Sequence, residues 1–149
     1  MQGLRWVQLS ADEMNEFLGR GGIGVLSFGR GADEAPFSIP VSYGYNPDEA
    51  AFYYRLSVTE DSEKADLVDR SVSFVIHRET DEGWRSVVAD GRLAAIEDSP
   101  FEPGDLHGMW AIEIPIVDIF ERPLRDVSFR FFRLEPEAMT GRKEVRTDP

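Results

Sequence analysis

The chain has 149 residues, enough for one domain that buries roughly two-thirds of its unfolded surface. It contains no cysteine, which excludes disulfides, thiolate metal sites and cysteine nucleophiles. Its formal net charge of −12 argues against nucleic acid as a partner, because phosphate binding needs clustered positive charge.

In chain order, the first segment, Met1 to Ser10, has no basic stretch followed by an apolar one, so no secretory signal is expected. "SADEMNEFLGRGG" then opens on a capping box, with Ser10 as cap and Glu13 three residues on. Met14, Phe17 and Leu18 form one apolar helix face, and Gly19, Gly21 and Gly22 end the helix. "IGVLSF" (Ile23–Phe28) predicts a strand and "GRGADEA" the turn after it. "PFSIPVSYGY" (Pro36–Tyr45) predicts a second strand, with Pro40 marking an edge or a bulge. "NPDE" turns the chain and "AAFYYRLS" (Ala50–Ser57) returns it, a spacing that favours antiparallel hairpins. A short helix, "DSEKADLVDR", follows, capped by Asp61 or Ser62. "SVSFVIH" (Ser71–His77), "WRSVVADGRLAAI" (Trp84–Ile96), "WAIEIPIVDIF" (Trp110–Phe120) and "VSFRFFRL" (Val127–Leu134) predict further strands. "TDEG" is the turn before Trp84, and only the last few residues read as loose. The expectation is a single mainly β domain over residues 1–149, a small closed or partly open barrel of six or seven strands with few helices. No apolar run approaches the ~20 residues of a membrane span, and the protein is read as cytoplasmic.

The basic residues are unevenly chosen: 14 are arginine and two are lysine. Acidity with so little lysine resembles the proteins of salt-loving archaea, where a screening length of about 3 Å at 1 M salt makes surface self-repulsion cheap. Of the two lysines, Lys143 belongs to the C-terminal tail, and Lys64 stands among Glu60, Asp61, Glu63, Asp66 and Asp69 at the start of the predicted short helix.

Several motifs carry no chemistry. "GRGGIG" matches the dinucleotide-binding glycine pattern at Gly19, Gly21 and Gly24, but a helix precedes it and a strand follows, the reverse of the required order. It reads as a helix stop and tight turn. His77 and His107 are the only histidines and lie in different segments, so no metal site is expected. No nucleophile elbow is present, and no general acid or base stands out among 28 acidic residues. Tyr53 and Trp84 read as barrel core or dimer interface.

The ordered set "PFSIPVSY", "AFYYRLS", "SEKADLV", "SVSFVIH" and "WRSVVADGR", with the ending "FRLEPEAMTGRKE", resembles the pyridoxamine 5′-phosphate oxidase-like superfamily of flavin-binding split barrels, nearest its small flavin-nucleotide-binding branch. The resemblance covers roughly Asn15 to Asp98. It implies a split β-barrel with an N-terminal helix and one short helix after the third strand. It also implies flavin mononucleotide (FMN) held at the interface of a homodimer. By position, Ser38, Ile39, Pro40 and Val41 pass beside the isoalloxazine, Tyr54 and Arg55 lie where the family contacts the cofactor, Lys64 matches the phosphate-holding basic residue, and Ser86 falls where a polar side chain reaches the flavin. Arg142 is implied to approach the partner's flavin. Tyr54 and Arg55 are adjacent in a strand and so point to opposite faces; one of them contributes only backbone.

The chain departs from the larger oxidases at Glu63, where they carry arginine before the lysine, at Ser38, where they also carry arginine, and in a longer Leu56–Glu63 loop. Oxidation of pyridoxamine phosphate itself is therefore not implied. Lys64 suits a phosphate, because an ammonium is a compact point charge and a helix start adds N–H donors. Three readings follow: an FMN-dependent oxidoreductase of unknown substrate, a non-catalytic flavin carrier or sensor, and a member of the same fold that takes deazaflavin (F420) or heme.

Overall fold

The computed structural model describes residues 3–58, 70–96 and 128–147. In chain order these form β1 (Gly3–Gln8), α1 (Ala11–Leu18), β2 (Gly21–Phe28), β3 (Phe37–Asn46), β4 (Ala51–Val58), β5 (Ser71–Thr80), β6 (Gly83–Ile96) and β7 (Ser128–Thr147). All ladders are antiparallel, in the order β1-β7-β4-β3-β2-β5-β6, and β6 also pairs with β7. That last pairing closes six strands into a barrel and leaves β1 outside it. The expected mainly β barrel is the fold observed.

Closure depends on β7, which is 20 residues long. Its first part pairs with β4 from Ser128 to Leu134, its middle with β6 from Phe131 to Lys143, and its last part with β1 from Arg142 to Thr147. The β6–β7 register shifts between Asp90, opposite Ala138, and Gly91, opposite Pro136, so Glu137 bulges. A bulge bends a strand and raises its twist, which lets one strand serve both sides of a closed barrel. Gly91 is required there: a Cβ would lie 2.9 Å from Leu134 Cδ1 and 3.0 Å from the Glu135 carbonyl oxygen.

The core is aromatic. Phe74 sits edge-on to Tyr43, Phe52 and Tyr54, with ring centroids 5.4, 5.3 and 5.0 Å away, the geometry that ring quadrupoles favour. Gly24 makes room for it, since a Cβ at that position would stand 2.7 Å from the Phe74 ring.

Helix α1 lies over one end of the barrel. Ser10 Oγ accepts from Glu13 N–H (3.2 Å) and Ser10 N–H donates to Glu13 Oε1 (3.0 Å), completing the expected capping box. Phe17 and Leu18 are buried, Met14 packs against the core, and Gly19 caps the C-terminus at φ +60°. Tyr43 Oη donates to the Leu18 carbonyl (3.0 Å) and the Arg78 guanidinium to the Phe17 carbonyl, so barrel side chains satisfy helix-end acceptors that the helix cannot. Gly19 and Gly24 thus serve a helix stop and a ring contact.

One sequence expectation needs correction, and one strand is added to those expected. The C-terminal residues are the strand that closes the barrel and not a loose tail; Lys143 is inside it, half-buried. β1 was not foreseen at all. At Pro40 the expected edge is found locally: β3 pairs with β4 only from Tyr43 to Asn46, so among the described residues Pro40 has β2 alone beside it. Proline is tolerated on such a locally free edge. The predicted short helix with Lys64, the strand Trp110–Phe120 and His107 lie outside the described residues.

Candidate functional site

Strand alternation gives β2, β3, β5 and β6 an inner face in the core and an outer face toward solvent. Register aligns the outward residues into rows that cross the strands. Ser38, Ser27, Ser73 and Asp90 form one row, opposite one another in turn. Two residues along each strand, Pro40, Val25, Val75 and Val88 form the next, continued on β7 by Thr140. Beyond it, Ser42 faces Ile23, and Ser86 stands between His77 and Arg142.

The first row is hydroxyl-rich. Ser27 Oγ and Ser38 Oγ are 2.8 Å apart, and Ser73 Oγ donates to Asp90 Oδ1. Beside it lies a shallow cleft of about 500 Å³, lined among others by Ser27, Gly29, Ser73 and Asp90. Arg70 borders this cleft, donating to the Gly29 carbonyl and covering the Phe28 ring at 4.9 Å. The middle row is apolar and has no large side chain. Ile23 and Val25 are 59% and 38% exposed on this face. At the far end Trp84, 40% exposed, stacks on His77 with centroids 4.8 Å apart and planes 15° from parallel. Arg142 lies over the Trp6 ring at 5.5 Å.

The residues expected at the site divide between the two faces. Ser38 and Pro40 are exposed on the outer face, and Ser86 is on that side though nearly covered. Ile39 is half-buried against the core and Val41 is buried in it. Tyr54 is fully buried, with its hydroxyl unpaired among the described residues; burial, with Tyr43 nearby, pushes its phenol well above the ordinary value of 10.0. Arg55, half-buried, lies on the other side of β4, opposite Phe131, where β4 parts from β3. Lys64 lies outside the described residues. Tyr53 is buried in a polar network, its hydroxyl donating to Glu49 Oε1 (3.0 Å) and accepting from Arg133 Nε (3.2 Å). Burial raises its phenol, an effect that Arg133 opposes.

Ser27, Ser73, Asp90, Val25, Val75 and Val88 were not singled out in the sequence. Serine alternating with large apolar residues in "SVSFV" was the available signal. Among the described residues, no three His, Asp or Glu side chains converge as metal ligands would. The face offers hydroxyls, a flat apolar strip and flanking cations.

The sequence profile of a family described as pyridoxamine 5′-phosphate oxidase matches residues 10–143. No curated protein sequence matches the chain. Among solved structures, an FAD-binding protein of Mycobacterium smegmatis superposes with TM-score 0.66 at 18% identity, covering 94% of this chain and 98% of that one. An FAD-binding protein of Mesorhizobium loti gives TM-score 0.63 at 23% identity, with 96% and 99% covered. An FAD- and heme-binding protein of Mycobacterium smegmatis gives 0.63 at 14% identity, with 95% and 76% covered. At such identities the likeness is one of fold.

Proposed function

The chain belongs to the pyridoxamine 5′-phosphate oxidase family, and from that premise we propose that it binds a flavin nucleotide on the outer face of β3, β2, β5 and β6, between two copies of itself. One observation carries the reading: the central row of Pro40, Val25, Val75 and Val88 is flat and apolar, with a serine-rich row on one side and Ser86 beside Arg142 on the other. A planar ring with polar edges fits such a face, because small side chains let it approach the backbone while hydroxyls and a guanidinium meet its edges. Large side chains there would have excluded it.

FMN is the form the reading favours, with Lys64 and the hydroxyls of its segment on the phosphate. In a protein of net charge −12 a phosphate needs a local cation. FAD is the second reading, favoured by two structures of like fold described as FAD-binding proteins. When bound, the flavin supplies the electron transfer, and the protein supplies orientation and electrostatics. We read the protein as an oxidoreductase of unknown substrate, with a flavin carrier as the alternative. The exposed Ile23 and Val25 suit burial by a second subunit, which would make the interface self-complementary about a two-fold axis.

The test is an absorbance spectrum of the purified protein, with the released cofactor identified by mass spectrometry, followed by anaerobic titration with reductants. A flavin spectrum is expected. A colourless protein that binds neither FMN nor FAD on addition overturns the reading, and a flavin that no donor reduces selects the carrier.

A further inference from the structure

At the barrel end under α1, three cations stand side by side on the inner face: Arg78 on β5 is opposite Arg85 on β6, which is opposite Lys143 on β7. In a chain of net charge −12 such a row needs anionic or carbonyl partners. Arg78 has the Phe17 carbonyl and Lys143 has Glu13. Arg85 is the least well served. Its side chain is 10% exposed, its Nη2 donates to Glu82, and its Nε–H has no acceptor among the described residues.

The Nε and Nη2 hydrogens of arginine lie parallel on one edge and match the two oxygens of a carboxylate. Glu82 uses only half of that edge. It belongs to the turn between β5 and β6, where Thr80 Oγ1 donates to the Gly83 carbonyl (2.7 Å) and accepts from Glu82 N–H (3.2 Å). The turn fixes the Glu82 backbone three residues from Arg85, while its side chain is 74% exposed and free to rotate away. Beside it opens a cleft of about 540 Å³, lined by Thr80, Glu82, Gly83, Arg85, Lys143 and Arg146 among others.

We propose that this cleft binds a small organic monocarboxylate, whose two oxygens take the Nε–Nη2 edge of Arg85 after Glu82 swings out. Glu82 is a tethered stand-in for the ligand. A monoanion is favoured over a phosphate dianion because Glu79, Asp81 and Glu144 also line the cleft and repel the larger charge more. The site lies inside one barrel end and is independent of the flavin reading.

The experiment compares the thermal midpoint of the full chain in sodium acetate and in sodium chloride at equal ionic strength. Acetate should raise the midpoint saturably above chloride. Glu82→Ala, which removes the competitor without touching a buried group, should lower the half-saturating acetate concentration several-fold, and Arg85→Lys should abolish the response. If Arg85→Lys fails to fold, the Arg85 Nε–H resonance of the 15N-labelled Glu82→Ala chain decides: it should move with acetate and stay still with chloride. Equal behaviour in the two salts, an unchanged half-saturation in Glu82→Ala, a response that survives Arg85→Lys, or a still Nε–H resonance each overturns the site.

Discussion

Lys143 Nζ donates to Glu13 Oε2 across 130 residues of sequence, tying the first turn of α1 to the last third of β7. The bond with Lys143 and the N–H of Ser10 hold the Glu13 carboxyl at about 2, down from an ordinary 4.5. A carboxyl depressed in the folded state adds stability that is complete above its unfolded value and lost as pH falls through the folded one. Wild type should therefore exceed Glu13→Gln in thermal midpoint at pH 7, and the gap should shrink between about pH 4.5 and pH 2. A gap that stays constant to pH 2 would show that the pair contributes no linkage.

Tyr54→Phe removes a buried hydroxyl that has no partner among the described residues and keeps the ring on Phe74. An unsatisfied buried polar group costs about 1–3 kcal/mol. The variant should be as stable as wild type or more so by up to about that amount, measured by urea unfolding. Its flavin affinity should not change, since the ring faces the core. A loss of flavin would place the phenol in the cofactor site.

Lys64→Ala should weaken FMN by about 1.5–3 kcal/mol, the scale of a hydrogen bond to a charged group. Riboflavin, which lacks the phosphate, should be indifferent. Equal losses for both ligands in a fluorescence titration would remove Lys64 from phosphate binding.

Val75→Asp puts a charge in the middle of the outer apolar row, between Val25 and Val88. Light scattering should then give a mass near the 16.8 kDa chain where wild type gives twice that, with flavin lost in parallel. A wild type that is monomeric with flavin bound would refute the shared interface.

Raising NaCl or KCl from about 0.1 M to 1 M shortens the screening length from roughly 10 Å to 3 Å. With a net charge of −12 the thermal midpoint should climb across that range, and flavin should be lost first at low salt. A flat or falling midpoint would count against adaptation to salt.

The sequence alone determined what depends on neighbours along the chain. The capping box of Ser10 and Glu13, the stop at Gly19, the turn at "NPDE" and the alternation in β2, β5 and β6 are local, and each was legible. The ordered segments also made the split barrel legible. Pairing decided the rest, because a strand's two faces look alike until a partner sets its register. Only register shows that Ser27, Ser38, Ser73 and Asp90 form one row, that Val41 and Tyr54 turn inward, and that Arg78, Arg85 and Lys143 stand together. β1 and the end of β7 were invisible for a related reason: "GLRWVQ" and "RKEVRT" show no clean alternation of their own, and they pair with each other over Gly3–Gln8 and Arg142–Thr147.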